Sequence, residues 1–309
     1  MRLGHGIERL ARRYLFPAIE RLWRWMLHAV RPILMRGPTV QRLTPGDGEI
    51  VVVVAPHPDD ETVGAGGTLA LHALAGATVK IVVVTDGGES QAGGLTHDEM
   101  VTRRKGELAT AVKKLGVHEA TYLGFPERQA DTSLLRTKLS ELLSEATVIY
   151  APSCVDFHPD HLDVARTVAD SVREGQIVRV YEVGVPLTPL LVNRVVDIGP
   201  VIQRKAAALA CFDTQARNLE PLARLARYRK ALYGLDAIEV FWELSPSAYR
   251  KVIRENSWTW EESPFRGIRS TPFSDPLAFL VGRRTRLRLS KAGETVPRSA
   301  AQRASVNSR

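Results

Sequence analysis

Hydrophobic and polar positions from residue 50 onward follow two alternating patterns. Short runs rich in β-branched residues predict buried strands, at residues 50–55, 79–85, 120–123, 147–151 and 178–185. Between them, apolar residues recur every three or four positions and predict helices, at residues 66–75, 98–115, 132–144 and 161–173. Strands alternating with helices predict an α/β fold, Rossmann-like, with a mostly parallel sheet and helices on both faces. Beyond residue 186 the pattern is less regular, with helices predicted at residues 201–212 and 219–233.

The first 42 residues have a different pattern, typical of an amphipathic helix. Apolar residues from Ile7 to Ile33 recur in steps of three or four and share one helical face, while arginines fill much of the rest. Two interpretations are consistent with this pattern. The helix lies on an anionic membrane surface, or it packs on its own domain, and both require the same apolar stripe.

Charge divides the chain into three parts. The formal net charge is +8, and nine arginines fall in residues 1–42 and eight lysines or arginines in residues 283–309. We therefore predict a basic helical extension at 1–42, one main domain at 43–282, and a basic tail without regular structure at 283–309. Because residues 43–282 are acidic overall, no nucleic-acid partner is expected.

The cysteine count and the hydropathy of the chain bear on its compartment. Two cysteines, Cys154 and Cys211, are too few for a disulfide framework. No uninterrupted apolar run is long enough to span a membrane, and no signal peptide is evident. The sequence predicts a cytoplasmic protein, with peripheral contact at the inner face of the membrane if the first helix binds lipid. Its oligomeric state is left open.

Two similar clusters of histidine and aspartate each follow a predicted strand. The first is Pro56-His57-Pro58-Asp59-Asp60-Glu61, and the second is His158-Pro159-Asp160-His161. Parallel strands present their carboxyl ends at one edge of a sheet, so the clusters can converge. His57, Asp60 and His161 then form a three-ligand zinc site with room for water and substrate, and Asp59 is free to act as a base.

These motifs resemble the PIG-L/LmbE family of zinc-dependent N-deacetylases. The resemblance extends over roughly residues 51–242, and its specific part is the two His-Pro-Asp sequences. It implies hydrolysis of an N-acetyl group from an amino sugar of the N-acetylglucosamine type, in a glycoconjugate. By matching position, it implies zinc ligands His57, Asp60 and His161 and a general base Asp59. His158, expected to be protonated, would stabilise the oxyanion, and Asp160 would orient the neighbouring histidine.

Further residues are candidates for contact with substrate. Asp86 follows the second predicted strand, and Arg104 lies on the next helix, one helical step from Glu107. Glu127 stands where the family often has an aspartate that contacts sugar hydroxyls, so the particular sugar is not carried over. Two alternatives to the deacetylase remain: an amidase acting on a larger N-acyl or thiol-conjugate substrate, and a non-catalytic scaffold at the membrane.

Overall fold

The structure is a computed structural model that describes residues 39–90, 92–117, 119–215, 229–230, 232–266 and 282–294. Of the first 38 residues it describes Ala18, Arg21, Leu22 and Trp25, which are helical and exposed. The rest of the predicted helix at 7–33, most of the predicted helix at 219–233, and the tail beyond residue 294 lie outside the described residues.

Eight strands form one mixed sheet within this part of the chain. They are β1 (Gln41–Arg42), β2 (Ile50–Ala55), β3 (Thr78–Thr85), β4 (Glu119–Phe125), β5 (Val148–Pro152), β6 (Ile177–Tyr181), β7 (Arg194–Asp197) and β8 (Ile238–Leu244). Across the sheet their order is β1-β7-β8-β6-β5-β2-β3-β4. Strands β2 to β6 are mutually parallel, whereas β8 runs antiparallel to both β6 and β7.

The helices lie on both faces of this sheet. They are α1 (Asp60–Leu74), α2 (His97–Leu115), α3 (Thr132–Leu142), α4 (Pro159–Ser171), α5 (Ile202–Leu209), α6 (Pro246–Glu255) and α7 (Arg283–Gly293). One apolar core takes side chains from α1, α2 and α5, and a second takes side chains from α3, α4, α6 and α7. The predicted α/β fold, mostly parallel with helices on both faces, is therefore confirmed.

The position of β2 and β5 in the sheet determines where a ligand can bind. They are adjacent, and the chain proceeds outward from β2 to β3 and β4, but in the other direction from β5 to β6. At such a switch point the loops after the two strands diverge and leave a crevice. Both His-Pro-Asp clusters lie in these two loops, as the sequence predicts.

The prediction of a tail without regular structure is wrong for its first eleven residues. Residues 283–293 form helix α7, in which Arg286 and Leu289 are fully buried. The Arg286 guanidinium donates a hydrogen bond to the Pro186 carbonyl at 3.1 Å and lies over the Phe265 ring, 4.8 Å from its centroid. These contacts hold α7 against the domain, so the boundary predicted at residue 283 is not the end of the fold.

Candidate active site

The first cluster surrounds the start of α1. Strand β2 is buried throughout its last five residues, and α1 begins five residues after it, at Asp60. Asp59, at the N-cap position, has φ 136°, a conformation that costs a residue other than glycine about 1–3 kcal/mol. Its N–H donates to Glu61 Oε2 at 3.1 Å, and the N–H of His57 donates to Asp60 Oδ2 at 2.9 Å. The tight turn therefore fixes the carboxylates at the strand end.

The second cluster forms a similar turn at the start of α4. His158 is the N-cap residue and Pro159 occupies the first helical turn, where its missing N–H leaves no hydrogen bond unmade. Asp156 Oδ1 accepts hydrogen bonds from the N–H groups of Phe157 and His158, at 2.6 and 2.9 Å. Asp60 and Asp160 thus both lie in the first turn of a helix, where the helix dipole favours negative charge.

The two clusters meet at the carboxylate of Asp60. Its Oδ2 lies 3.1 Å from His57 Nδ1 and 3.3 Å from His161 Nε2. The other ring nitrogen of His161, Nδ1, lies 3.0 Å from Asp156 Oδ2. One carboxylate oxygen therefore contacts a ring nitrogen of each histidine, and each histidine uses its second nitrogen to contact another carboxylate.

Asp160 lies closer to His57 than to His158, its neighbour in the chain. Asp160 Oδ2 lies 3.0 Å from His57 Nε2 but 3.8 Å from His158 Nδ1. Its Oδ1 accepts a hydrogen bond from the N–H of Arg128 at 2.7 Å. Asp160 therefore connects His57 to the loop after β4.

Asp59 is held by the buried side chain of Arg104. The Nη2 atom of Arg104 lies 3.2 Å from Asp59 Oδ2 and 2.7 Å from the Pro58 carbonyl oxygen. Gly87 permits this approach, because a Cβ atom there would lie 2.9 Å from Arg104 Nη1. Burial raises the pKa of Asp59 to about 7, although the Arg104 guanidinium acts in the opposite direction. Asp59 can therefore bind or release a proton near neutral pH.

His158 is less enclosed than the other two histidines of the site. Its side chain is 31% exposed, against 11% for His57 and 7% for His161. Burial and the neighbouring charge of His161 lower the pKa of His158 to about 3, so a neutral imidazole is favoured over the protonated one expected from the sequence. Its Nδ1 atom is buried and makes no hydrogen bond within the described residues.

This donor set fits a metal ion. Asp59, Asp60, Glu61, Asp156 and Asp160 are all buried within or beside the cluster. Burial lowers the pKa of His57, but its hydrogen bonds to the carboxylates of Asp160 and Asp60 outweigh burial and raise that pKa to about 9, which shows how strongly the cluster favours positive charge. Imidazole nitrogen and carboxylate oxygen are ligands that zinc accepts. Within the described residues, two further groupings have their ligand atoms within 4.8 Å of one another: His57 with His158 and His161, and His57 with Glu127 and Asp160.

The cluster forms the floor of a cavity of about 530 Å³. Of the predicted substrate residues, Arg104 and Glu127 line this cavity. Asp86 is instead bonded within its own loop, where its carboxylate accepts the N–H of Gly88 at 3.0 Å and lies 3.3 Å from His97. No role is predicted from the sequence for Asp156 or for Gln215, which also lines the cavity.

Glu107 neither lines the cavity nor stands on a solvated face. It is 6% exposed, and its carboxylate accepts hydrogen bonds from the N–H and the hydroxyl of Thr214, at 3.2 and 2.7 Å. Glu107 therefore fixes the turn Asp213–Gln215 to α2 and so positions Gln215. The buried thiol of Cys154 has a pKa raised by burial to about 11, consistent with a packing role.

Similar proteins of known sequence support the identification of the motifs. A 1D-myo-inositol 2-acetamido-2-deoxy-α-D-glucopyranoside deacetylase from Saccharomonospora viridis is 30% identical over 160 residues, which are 42% of this chain and 60% of that protein. A second deacetylase of this description, from Saccharopolyspora erythraea, is 34% identical over 129 residues, which are 40% of this chain and 43% of that protein. The chain thus spans about half of the length of these curated relatives.

Solved structures show the same fold. A conserved protein from Thermus thermophilus superimposes with a TM-score of 0.54 at 28% identity, over 62% of this chain and 93% of that one. Residues 52–172, which contain both clusters, match the PIG-L family, described as GlcNAc-PI de-N-acetylase. This part of the chain is therefore similar to the PIG-L family.

Proposed function

We propose that the protein is a zinc-dependent deacetylase that hydrolyses the N-acetyl group of an N-acetylglucosamine-type conjugate. The observation that carries the proposal is the convergence at Asp60 Oδ2, which lies 3.1 and 3.3 Å from ring nitrogens of His57 and His161. Asp59, a base of suitable pKa, stands directly beside this triad in the chain. The deacetylase activity of the relatives and their amino-sugar substrate support the same reaction.

Three residues would hold the zinc ion: His57, Asp60 and His161. When bound, zinc supplies a Lewis acid that polarises the amide carbonyl and lowers the pKa of water toward about 7. Asp156 and Asp160 would fix the two imidazoles, because each contacts the ring nitrogen that faces away from Asp60. Such contacts set the tautomer of a ligand histidine and strengthen it as a donor.

Asp59 would act as general base and then as general acid. It would accept a proton from the attacking water and return it to the nitrogen of the leaving amine as the C–N bond breaks. A group with a pKa near the working pH is suited to both transfers, and the pKa of Asp59 is about 7. Arg104 would keep the carboxylate directed at the reacting atoms.

His158 would stabilise the negative charge that develops on the acetamide oxygen. A neutral imidazole can do so by donating an N–H hydrogen bond, which requires no protonation of the ring. The side chain of His158 is 31% exposed and lines the cavity, so its ring can contact the oxygen of a bound acetamide. The cavity volume of about 530 Å³ lies within the range typical of small-molecule sites, so a single sugar can enter.

The test is acetate release from a panel of N-acetylglucosamine conjugates, both lipid-linked and water-soluble. Zinc-loaded protein and the same protein after chelation are compared, and re-addition of zinc serves as the control for irreversible damage. Zinc-dependent acetate release supports the proposal. If zinc is bound and no conjugate releases acetate, the proposal fails for the acetyl group, and a larger N-acyl or thiol conjugate becomes the substrate to examine.

We also propose that the N-terminal extension contacts an anionic membrane surface. Leu22 and Trp25 fall on the predicted apolar face and are 58% and 68% exposed, which favours the membrane interpretation over docking on the domain. No helix in the described part of the chain is long and apolar enough to cross a bilayer. Cosedimentation with anionic vesicles should fall when residues 1–42 are deleted. Equal binding by both forms would contradict the proposal.

A further inference from the structure

A second concave surface lies directly beside the catalytic cavity. This groove has a volume of about 710 Å³, larger than the cavity, and is formed by the first two turns of α2 together with the loops at Gly93–Leu95 and Asp213–Thr214. None of the residues proposed for metal binding or catalysis lines it. The groove is large enough, and near enough to the cavity, to hold a separate group.

The groove and the cavity share a wall. Arg103 lines the groove and Arg104 lines the cavity, and the consecutive pair Thr214 and Gln215 is divided in the same way. Gln215 Nε2 donates a hydrogen bond to Ser90 Oγ at 2.9 Å, and Ser90 also lines the cavity. A sugar in the cavity would therefore have the groove within reach of a substituent that passes over this wall.

Three of the four charged side chains in the described lining of the groove, those of Glu99, Arg103 and Asp213, already contact neighbouring groups. Arg103 lies 3.2 Å from Asp213 and 3.3 Å from Glu107. The Glu99 carboxylate accepts hydrogen bonds from the N–H and the hydroxyl of Thr96 in the capping box of α2, at 2.8 and 2.7 Å. These groups are thus occupied in holding the walls of the groove.

Two properties of the groove determine which ligand it can bind. Leu95 is 41% exposed and presents an apolar surface between polar walls. Among the described residues that line the groove, the carboxylates of Asp98, Glu99 and Asp213 outnumber the guanidinium of Arg103, so this lining is acidic. A phosphate group would be repelled there, whereas an uncharged group with an apolar part would bury Leu95 without that repulsion.

We propose that this groove binds the aglycone of the amino-sugar substrate, and that it selects an uncharged, partly apolar aglycone over an anionic one. The inference rests on the proposed deacetylase function and narrows its substrate class. The cavity would hold the N-acetylated sugar, while Leu95 would contact the group attached to it.

The test compares three compounds: N-acetylglucosamine, its hexyl glycoside and N-acetylglucosamine 1-phosphate. Zinc-loaded wild type should deacetylate the hexyl glycoside with a kcat/KM at least about tenfold above that of the free sugar, the gain expected from burying about two methylene groups. The gain should appear mainly in KM, and the 1-phosphate should be the poorest substrate of the three.

A variant and a matched control locate the effect. Leu95→Asp should remove the preference for the hexyl glycoside and leave kcat/KM for the free sugar unchanged. Leu134→Asp, which changes a leucine of similar exposure (47%) on α3, should retain the preference. A preference that survives in Leu95→Asp, or a 1-phosphate that is the best substrate, would overturn the proposal.

A binding measurement tests the groove separately from the deacetylase function. If wild type hydrolyses none of the three compounds, calorimetric binding of the hexyl glycoside to zinc-loaded protein replaces the kinetic measurement. Weaker binding to Leu95→Asp than to wild type and Leu134→Asp would still support the groove. Equal binding of the hexyl glycoside to wild type, Leu95→Asp and Leu134→Asp, or no binding to wild type, would reject the proposal.

Discussion

The two His-Pro-Asp clusters have the same three residues in the same order, yet the structure uses them differently. In the first, His57 precedes the helix start by three residues, and both its ring nitrogens contact carboxylates. In the second, His158 is itself the N-cap residue, and its Nδ1 atom is 3.8 Å from the nearest carboxylate of the cluster. The histidine of the second cluster that resembles His57 in its burial is His161, which lies in the first turn of α4.

This difference shows that position relative to the helix start, rather than the motif, determines what a histidine can do. A ring fixed at both nitrogens is suited to hold a metal ion, because its orientation and tautomer are already set. A ring whose Nδ1 atom makes no hydrogen bond within the described residues, and which is partly exposed and lines the cavity, is suited to contact a substrate. The comparison therefore predicts unequal effects of equivalent substitutions.

The largest effect is expected from His161→Ala. Removing an enclosed ligand should abolish bound zinc and reduce acetate release to the level of chelated wild type. Metal content by inductively coupled plasma mass spectrometry and acetate release by enzymatic assay measure the two losses. His97→Ala, at an exposed histidine outside the cluster, is the control that should keep both. A zinc-replete His161→Ala protein would show that His161 is not a ligand.

Asp59→Asn should retain zinc and lose about 10²–10⁴-fold in kcat, the range expected for removal of a general base. Asparagine is chosen because it tolerates positive φ better than most residues, and Asp59 has φ 136°. The measurement is single-turnover acetate release with metal content determined on the same sample. Asp163→Asn, at a half-buried aspartate of α4 that pairs with Arg166, should behave as wild type. Turnover at the wild-type rate in Asp59→Asn would exclude Asp59 as the base.

His158→Gln should retain zinc and lose about 10²–10³-fold in kcat, as for loss of one donor to an oxyanion. Glutamine keeps an N–H donor of similar reach but cannot reproduce the imidazole geometry. The decisive measurement is the zinc content of the variant. It shows whether His158 is itself a ligand, as the grouping of His57, His158 and His161 would allow. Loss of zinc in this variant would favour the three-histidine arrangement over the one proposed.

The parallel half of the sheet and the two clusters could be predicted because local pattern and function coincide there. Buried strands such as Ile50–Ala55 are continuous apolar runs, and a polar cluster directly after each marks the ligand edge. Strand β8 could not be predicted in the same way. It contains Glu239, which is 1% exposed and accepts hydrogen bonds from the N–H groups of Gly67 and Thr68, each at 2.8 Å. Because Glu239 is charged, the sequence of β8 lacks the continuous apolar run that is typical of a core strand.

Helix α7 and Asp156 were missed for related reasons. The sequence of α7 is dominated by arginines, and pattern alone gives no sign that Arg286 is buried against Phe265 rather than solvated. Asp156 lies in a loop with other turn-forming residues, and aspartate is common in turns for reasons of local hydrogen bonding. Its contact with His161 spans five residues and becomes visible only once the loop has its shape.

The smallest effect is expected where Asp156 is changed, and it tests whether the second histidine nitrogen matters as the comparison requires. Asp156→Asn keeps the size of the side chain and can still accept from the N–H groups of Phe157 and His158. It removes the negative charge 3.0 Å from His161 Nδ1, so zinc affinity should fall by about 10–100-fold.

Competition with a chelating dye measures that affinity in Asp156→Asn and in wild type. Saturating zinc should restore kcat in the variant to near the wild-type value, because the groups that contact the substrate are unchanged. Such rescue would distinguish support of a ligand from participation in the reaction. A kcat that stays low at full zinc occupancy would instead place Asp156 among the groups that position the reacting atoms.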